Sequence, residues 1–152
     1  MTPEQYQKEI LRTWPKRQHQ DAAICNATLG LVGEIGEYLA SQDADELGDV
    51  YYYAYMLLHL MGMSYDEDDS SSICKKPQMK AAEVAELVKK LIFHSDGYSM
   101  ETINLMCDIE DTLGEVIRYL DWSALAYGGT EAVMHQNIEK LKKRYPDGWP
   151  SK

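Results

Sequence analysis

Apolar side chains recur at helical spacing through most of this chain. Ile24, Leu31, Ile35 and Leu39 fall close to one helical stripe, and Val50, Tyr53, Leu57 and Leu60 continue a second. No segment shows the strict alternation of a half-buried strand. Tyr51-Tyr52-Tyr53 favours strand by propensity, but the run sits inside a helical pattern, and pattern outranks propensity. Punctuating residues set the ends. Thr2 is a candidate N-cap, Pro3 suits the first helical position and Gln5 completes a capping box, so a first helix is expected over 3–14, stopped by Pro15. The spacing predicts a second helix over 21–40 and a third, capped by Asp43, running to 61. A fourth is expected over 78–93, then a turn at His94-Ser95-Asp96-Gly97, then a fifth that Ser99 caps and that reaches 126. Gly128-Gly129 breaks it, and Thr130 is expected to cap a sixth helix that ends before Pro146. The fold class is all-α, a helical bundle.

One stretch departs from this pattern. Residues 64–72 read SYDEDDSSS, which is too polar to pack and is expected to be a linker or mobile loop. It lacks the Gly and closing Glu of an EF-hand calcium loop.

Composition narrows the function classes. A chain of 152 residues fits one domain or two small related halves, and 45% hydrophobic with 26% charged residues is ordinary for a globular protein. Fifteen Lys and Arg against 25 Asp and Glu give a net charge of −10, which argues against a general nucleic-acid or anionic-membrane binder. A small anionic substrate stays compatible, because a metal ion inverts the local field. Cys25, Cys74 and Cys107 form no CxxC pair, so reduced thiols are expected. No run of 18 apolar residues occurs and the start has no basic-then-apolar signal, so a cytoplasmic chain is expected.

The candidate chemistry lies in residues 34–49. Glu34-Ile35-Gly36-Glu37 and Glu46-Leu47-Gly48-Asp49 each place two carboxylates on one helix face. Counted outward from a turn near Gln42, Glu37 pairs with Glu46 and Glu34 with Asp49, so an antiparallel hairpin brings the four acids into two rungs. At ~1.5 Å rise per residue the rungs stand about 4.5 Å apart. Such crowding raises each acid's pKa unless a cation sits among them, and a hard divalent ion with oxygen ligands resolves it. Mg²⁺ is the expected ion, with Mn²⁺ as the alternative. Gly30, Gly33, Gly36 and Gly48 each weaken a helix, and close helix approach around the acids is the expected return. Two alternatives stay open: a solvated acidic face, and a di-iron bundle, although that class pairs Glu with a His three residues on and neither helix has one.

These residues resemble a known family. Leu29-Gly30-Leu31-Val32-Gly33-Glu34-Ile35-Gly36-Glu37 followed by Glu46-Leu47-Gly48-Asp49-Val50 is similar to the ExxE…ExxD metal motif of the MazG-like, all-α nucleoside triphosphate pyrophosphatases. Tyr6-Gln7 and Thr13 resemble the family's usual start, and the run from Asn137 through Lys140, Arg144 and Pro146 to Gly148 resembles its usual tail. Two features depart from it. The two acid pairs are separated by only eight residues, and residues 81–120 echo the motif through Glu83, Glu86 and Glu115, with Thr112 in place of an acid. The resemblance implies one MazG-like domain over 1–152, built from two related helical hairpins as in the tandem dimeric dUTPases. An intact half would span 1–63, a linker 64–77 and a degenerate repeat 78–152. A plain hairpin completing the bundle is the alternative for the second half; another has Glu83 and Glu86 complementing Glu46 and Asp49.

The activity implied is hydrolysis of a nucleoside triphosphate between the α and β phosphates, giving the monophosphate and pyrophosphate. Glu34, Glu37, Glu46 and Asp49 would hold Mg²⁺, which lowers the pKa of a bound water that attacks the α-phosphorus, while a second ion stabilises the leaving pyrophosphate. Glu37 is the candidate general base. Asn137, Lys140 and Arg144 share one face of the last helix and match the family's tail, so they are expected at phosphate or sugar. Tyr53 is expected at the nucleotide, and Lys89 and Lys90 are further candidates for phosphate. Trp14, Trp122 and Trp149 could stack a base, but Trp is more often buried packing or interface, while His19, His59, His94 and His135 have no mutual metal spacing. The resemblance also implies a homodimer or homotetramer. A specific dUTPase, a phosphoribosyl-ATP pyrophosphohydrolase, a non-catalytic nucleotide- or metal-binding regulator and a structural bundle are the rival readings.

Overall fold

The computed structural model describes residues 1–16, 18–65 and 73–150, and these are all-helical, with no strand among them. The order is α1 (Pro3–Leu11), α2 (Gln20–Ser41), α3 (Ala44–Met61), α4 (Pro77–Phe93), α5 (Met100–Ala124), a 3₁₀ turn (Leu125–Tyr127) and α6 (Thr130–Arg144). Most of the acidic stretch expected to be a linker, residues 66–72, lies outside the described residues. No helix of the described residues is long and apolar enough to cross a membrane.

Two antiparallel hairpins, α2–α3 and α4–α5, carry the packing, with α2 lying against α4 and α3 touching α1, α5 and α6 as well. The core explains why α3 is central. Leu47, Val50, Tyr51, Ala54, Met56 and Leu57 are all fully buried on it, so apolar burial covers most of its circumference. Each such large side chain contributes about 1.5–3 kcal/mol when removed from water. The Tyr51-Tyr52-Tyr53 run is helical, as the pattern predicts.

The helix ends follow local chemistry, with two differences from expectation. Thr2 and Gln5 form the capping box at α1, Asp43 caps α3 and Ser99 caps α5. However, α1 stops at Leu11 instead of continuing to Trp14. The Thr13 hydroxyl donates to the Ile10 carbonyl at 2.8 Å, and the Arg12 N–H bonds at the shorter Glu9 spacing, so the chain tightens and turns. Thr130 does not cap α6 either; Gly129 does, at φ 97°. The Thr130 hydroxyl instead donates to Asp121 Oδ1 at 2.9 Å, an oxygen that also accepts from the Tyr51 hydroxyl at 2.7 Å. Asp121 Oδ2 accepts from Tyr65 at 2.8 Å. Asp121 thus ties the start of α6 to α5 and α3, which fixes α6 over the α3 face that carries the acids.

Candidate functional site

The reversal between α2 and α3 sets the position of the acids. Gln42 adopts a left-handed conformation (φ 54°) and its N–H closes α2 on the Tyr38 carbonyl at 2.7 Å. Asp43 then opens α3 by accepting from the Asp45 N–H at 2.8 Å. With only these two residues between the helices, Leu31, Ile35 and Tyr38 pack inward and the acids lie along the flank of the hairpin.

One carboxylate oxygen from each of Glu34, Glu46 and Asp49 lies within 4.8 Å of the others. Glu37 does not join this triad. It stands exposed beside it, near enough to raise the pKa of both Glu34 and Glu46. The expected quartet of two rungs is therefore a triad with an outlying fourth acid. Burial, followed by repulsion from Asp49, Glu37 and Glu46, pushes Glu34 up to about 7, with Lys140 opposing. Burial, then Asp49 and Glu37, also raises Glu46. Glu34 Oε2 is buried with no hydrogen-bond donor. A buried acceptor without a donor is costly, and in a cluster of like charges it is doubly so. The donor set is all carboxylate oxygen, with no thiolate or imidazole, which suits a hard ion such as Mg²⁺ or Mn²⁺.

Helix α6 supplies what positive charge the triad meets. Lys140 Nζ lies 2.5 Å from Asp49 Oδ2, and Asn137 Nδ2 donates to Asp49 Oδ1 at 3.0 Å. Burial opposes the charge on Lys140, but the bond to Asp49 and the attraction of Asp45 and Glu46 hold its pKa above the ordinary lysine value. The buried Tyr6 hydroxyl donates to Asn137 Oδ1 at 2.8 Å, which fixes the orientation of that amide. Gly48 permits this approach, because a Cβ there would stand 3.0 Å from Asn137 Cβ. Gly30 likewise receives the Tyr53 ring, whose nearest atoms would lie 2.3 Å from an added Cβ. Gly33 and Gly36 meet nothing within 4 Å, so close approach accounts for two of the four glycines and not for these.

A cavity of about 280 Å³ opens against Glu34 and Asp49. Tyr53 and Arg144 line it as well, together with Trp14, Tyr52, Tyr145, Trp149, Thr13 and Asn26. The Arg144 guanidinium carbon sits 5.3 Å from the centre of the Tyr145 ring. Of the three tryptophans, Trp14 and Trp149 reach this cavity, whereas Trp122 lies exposed on α5 beside Tyr119. Tyr52 and Asn26 carry no distinguishing signal in the sequence. Tyr52 is one of three adjacent tyrosines, and Asn26 is a lone amide two turns before the first acid.

The second half of the chain offers no comparable cluster among the described residues. Lys80 Nζ lies 3.1 Å from Glu83 and 3.4 Å from Glu115, so a lysine ammonium sits between the echoed acids. Glu83 and Glu86 therefore do not complement Glu46 and Asp49; Glu86 pairs instead with Lys89 at 2.9 Å. Lys89 and Lys90 are exposed on α4 and neither lines the cavity, so the structure does not bring them to the acids. No family model, no curated protein and no solved structure matches this chain.

Proposed function

We propose that this protein is a Mg²⁺-dependent nucleotide pyrophosphohydrolase that cleaves (d)NTP to (d)NMP and pyrophosphate, as the resemblance to the MazG-like pyrophosphatases implies. The observation that carries the reading is the convergence of Glu34, Glu46 and Asp49 within 4.8 Å, with one Glu34 oxygen buried and undonated. Those three residues would hold Mg²⁺, with Mn²⁺ the alternative. When bound, the ion supplies neutralisation of phosphate oxygens and a water of lowered pKa.

The chain's own residues do the rest. Glu37, exposed beside the triad, accepts the proton of the attacking water on its carboxylate as the bond from water oxygen to the α-phosphorus forms. The bond from the α-phosphorus to the bridging oxygen breaks, and pyrophosphate leaves with that electron pair. Lys140 holds Asp49 and offsets the triad's negative charge, so that a polyanion is tolerated there. Asn137, locked by Tyr6, orients Asp49. Arg144 at the cavity wall offers a cation to phosphate, and Tyr53 walls the space for the nucleoside end. The physiological consequence is control or cleaning of a nucleotide pool. Exposed Phe93, Tyr98, Met100 and Ile103 around the α4–α5 turn favour a homodimer or homotetramer.

The test is incubation with the eight common nucleoside triphosphates and dUTP in Mg²⁺, scoring products. Monophosphate and pyrophosphate in equal amounts support the reading. Diphosphate with orthophosphate, or no turnover of any nucleotide, contradicts it.

A further inference from the structure

The cavity beside the triad has aromatic walls of two different origins. Trp14, Tyr52 and Tyr53 belong to the interior: Trp14 is 6% exposed, and its ring centre lies 5.9 Å from Tyr52 and 6.3 Å from Tyr53. Tyr145 and Trp149 come from the segment after α6, with ring centres 5.2 Å apart and planes 39° from parallel. That segment is fastened by the Trp149 N–H, which donates to the Arg12 carbonyl at 2.9 Å, and by a tight turn in which the Gly148 N–H donates to Tyr145 at 3.0 Å. Gly148 is needed for two reasons. Its φ is 82°, and a Cβ there would stand 2.8 Å from the Arg12 oxygen. The chain therefore places an indole, 38% exposed, at the rim of a cavity whose other end is acidic.

A polar side chain lines the cavity as well. Asn26, on the same cavity, makes among the described residues one long side-chain bond, donating to Gln18 at 3.5 Å, and so retains amide capacity. A planar ring with polar atoms at its edge suits both the aromatic faces and the Asn26 amide. A base-free sugar phosphate can accept from the amide but offers nothing to the aromatic faces.

We infer that Trp149, carried on the C-terminal segment, is the outer stacking wall of a pocket for a planar heteroaromatic ring, so that nucleotides are selected over base-free sugar phosphates. This rests on the reading of the triad as the phosphate end of the site. Trp149 is the specificity-determining residue and Gly148 the residue that positions it.

Calorimetric titration in Mg²⁺ with AMP, GMP, CMP, UMP and ribose 5-phosphate tests this without requiring turnover. At least one nucleotide is expected to bind about tenfold or more tightly than ribose 5-phosphate. Trp149→Ala should weaken that nucleotide about ten- to a hundredfold, in line with the usual contribution of a base–aromatic stack, and leave ribose 5-phosphate unchanged. Trp149→Phe should restore most of the loss, and nucleotide quenching of tryptophan fluorescence should shrink in that variant. Gly148→Ala keeps every aromatic side chain but displaces the segment, and should lose the same selectivity. Nucleotide binding that is unchanged in Trp149→Ala and Gly148→Ala overturns the inference, as does an equal loss for ribose 5-phosphate. Trp149-dependent binding without hydrolysis would keep this pocket and refute the proposed reaction. Pyrophosphate release with KM unchanged in Trp149→Ala would do the reverse.

Discussion

Lys140 Nζ lies 2.5 Å from Asp49 Oδ2 across the contact between α6 and α3, so the acid triad carries a tethered counter-cation. An ammonium neutralises one charge of three and leaves Glu34 Oε2 undonated. A divalent ion bound there, as proposed, would offset the same repulsion as the lysine. Lys140→Met should lower stability in the absence of metal by about 1–2 kcal/mol, the range for hydrogen bonds to charged groups discounted for partial exposure. Millimolar Mg²⁺ should restore most of it, because a ligand that binds only the folded state stabilises it. Paired melting curves check this, and an equal metal shift in variant and wild type would refute the coupling. If Lys140 also serves phosphate, KM rises in the variant, and an unchanged KM removes that role.

Separating Glu37 from the triad predicts two kinds of loss. Glu34→Gln and Asp49→Asn should abolish both turnover and the Mg²⁺-induced rise in melting temperature. Glu37→Gln should lower kcat by about a hundredfold or more, the usual loss for a general base, while keeping the rise in melting temperature. Steady-state kinetics beside melting curves distinguish them. Retained activity in Glu37→Gln eliminates the proton-acceptor role, and a lost metal shift there moves Glu37 among the ligands.

How much of this was legible before folding depends on what each residue signals. Pro3, Asp43, Ser99 and the Gly128-Gly129 pair mark helix ends that local chemistry decides, whereas Pro15 does not, since α1 has already stopped at Leu11. Thr130 misleads, because its hydroxyl is drawn to Asp121, nine residues away in sequence but adjacent in space. The Glu34–Asp49 pairing follows from counting outward from the turn. The outward position of Glu37 does not: Glu46 and Asp49 have the same three-residue spacing and both join the triad, so spacing alone does not set Glu37 apart. The cavity's outer wall is the least legible feature. Trp149 reaches it through a left-handed Gly148 and the Arg12 carbonyl, two tertiary facts that no local pattern encodes.

The pH dependence of metal-free stability has a definite sign. Burial and then its acidic neighbours hold Glu34 at about 7 in the fold, against an ordinary value of 4.5. Between those values the folded state binds more protons than the unfolded state, so stability falls as pH rises through the window. Below 4.5 both states are protonated and the contribution vanishes; above about 7 the penalty is complete. Glu46, also raised, acts in the same sense. The melting temperature of metal-free wild type should therefore decline from about pH 5 to pH 8 more steeply than that of Glu34→Gln. Parallel slopes would contradict the crowding.

Two glycines on the hairpin should respond oppositely to alanine. Gly48→Ala drives a Cβ to 3.0 Å from Asn137 Cβ and is expected to cost about 1–3 kcal/mol, as overpacking does, while displacing Asn137 and Lys140 from Asp49. Gly33→Ala meets nothing within 4 Å and should stabilise α2 by about 0.8–1 kcal/mol. Denaturant unfolding measures both. A stabilising Gly48→Ala would mean that α6 does not approach α3 as described.

The proposed reaction requires that Glu34, Glu46 and Asp49 together grip a divalent cation. Calorimetric titration of Mn²⁺ and Mg²⁺ into wild type, Glu34→Gln and Asp49→Asn measures that grip. Saturable binding is expected in wild type and is expected to disappear in both variants. Binding that persists undiminished in the variants, or that is absent from wild type at millimolar metal, would contradict it.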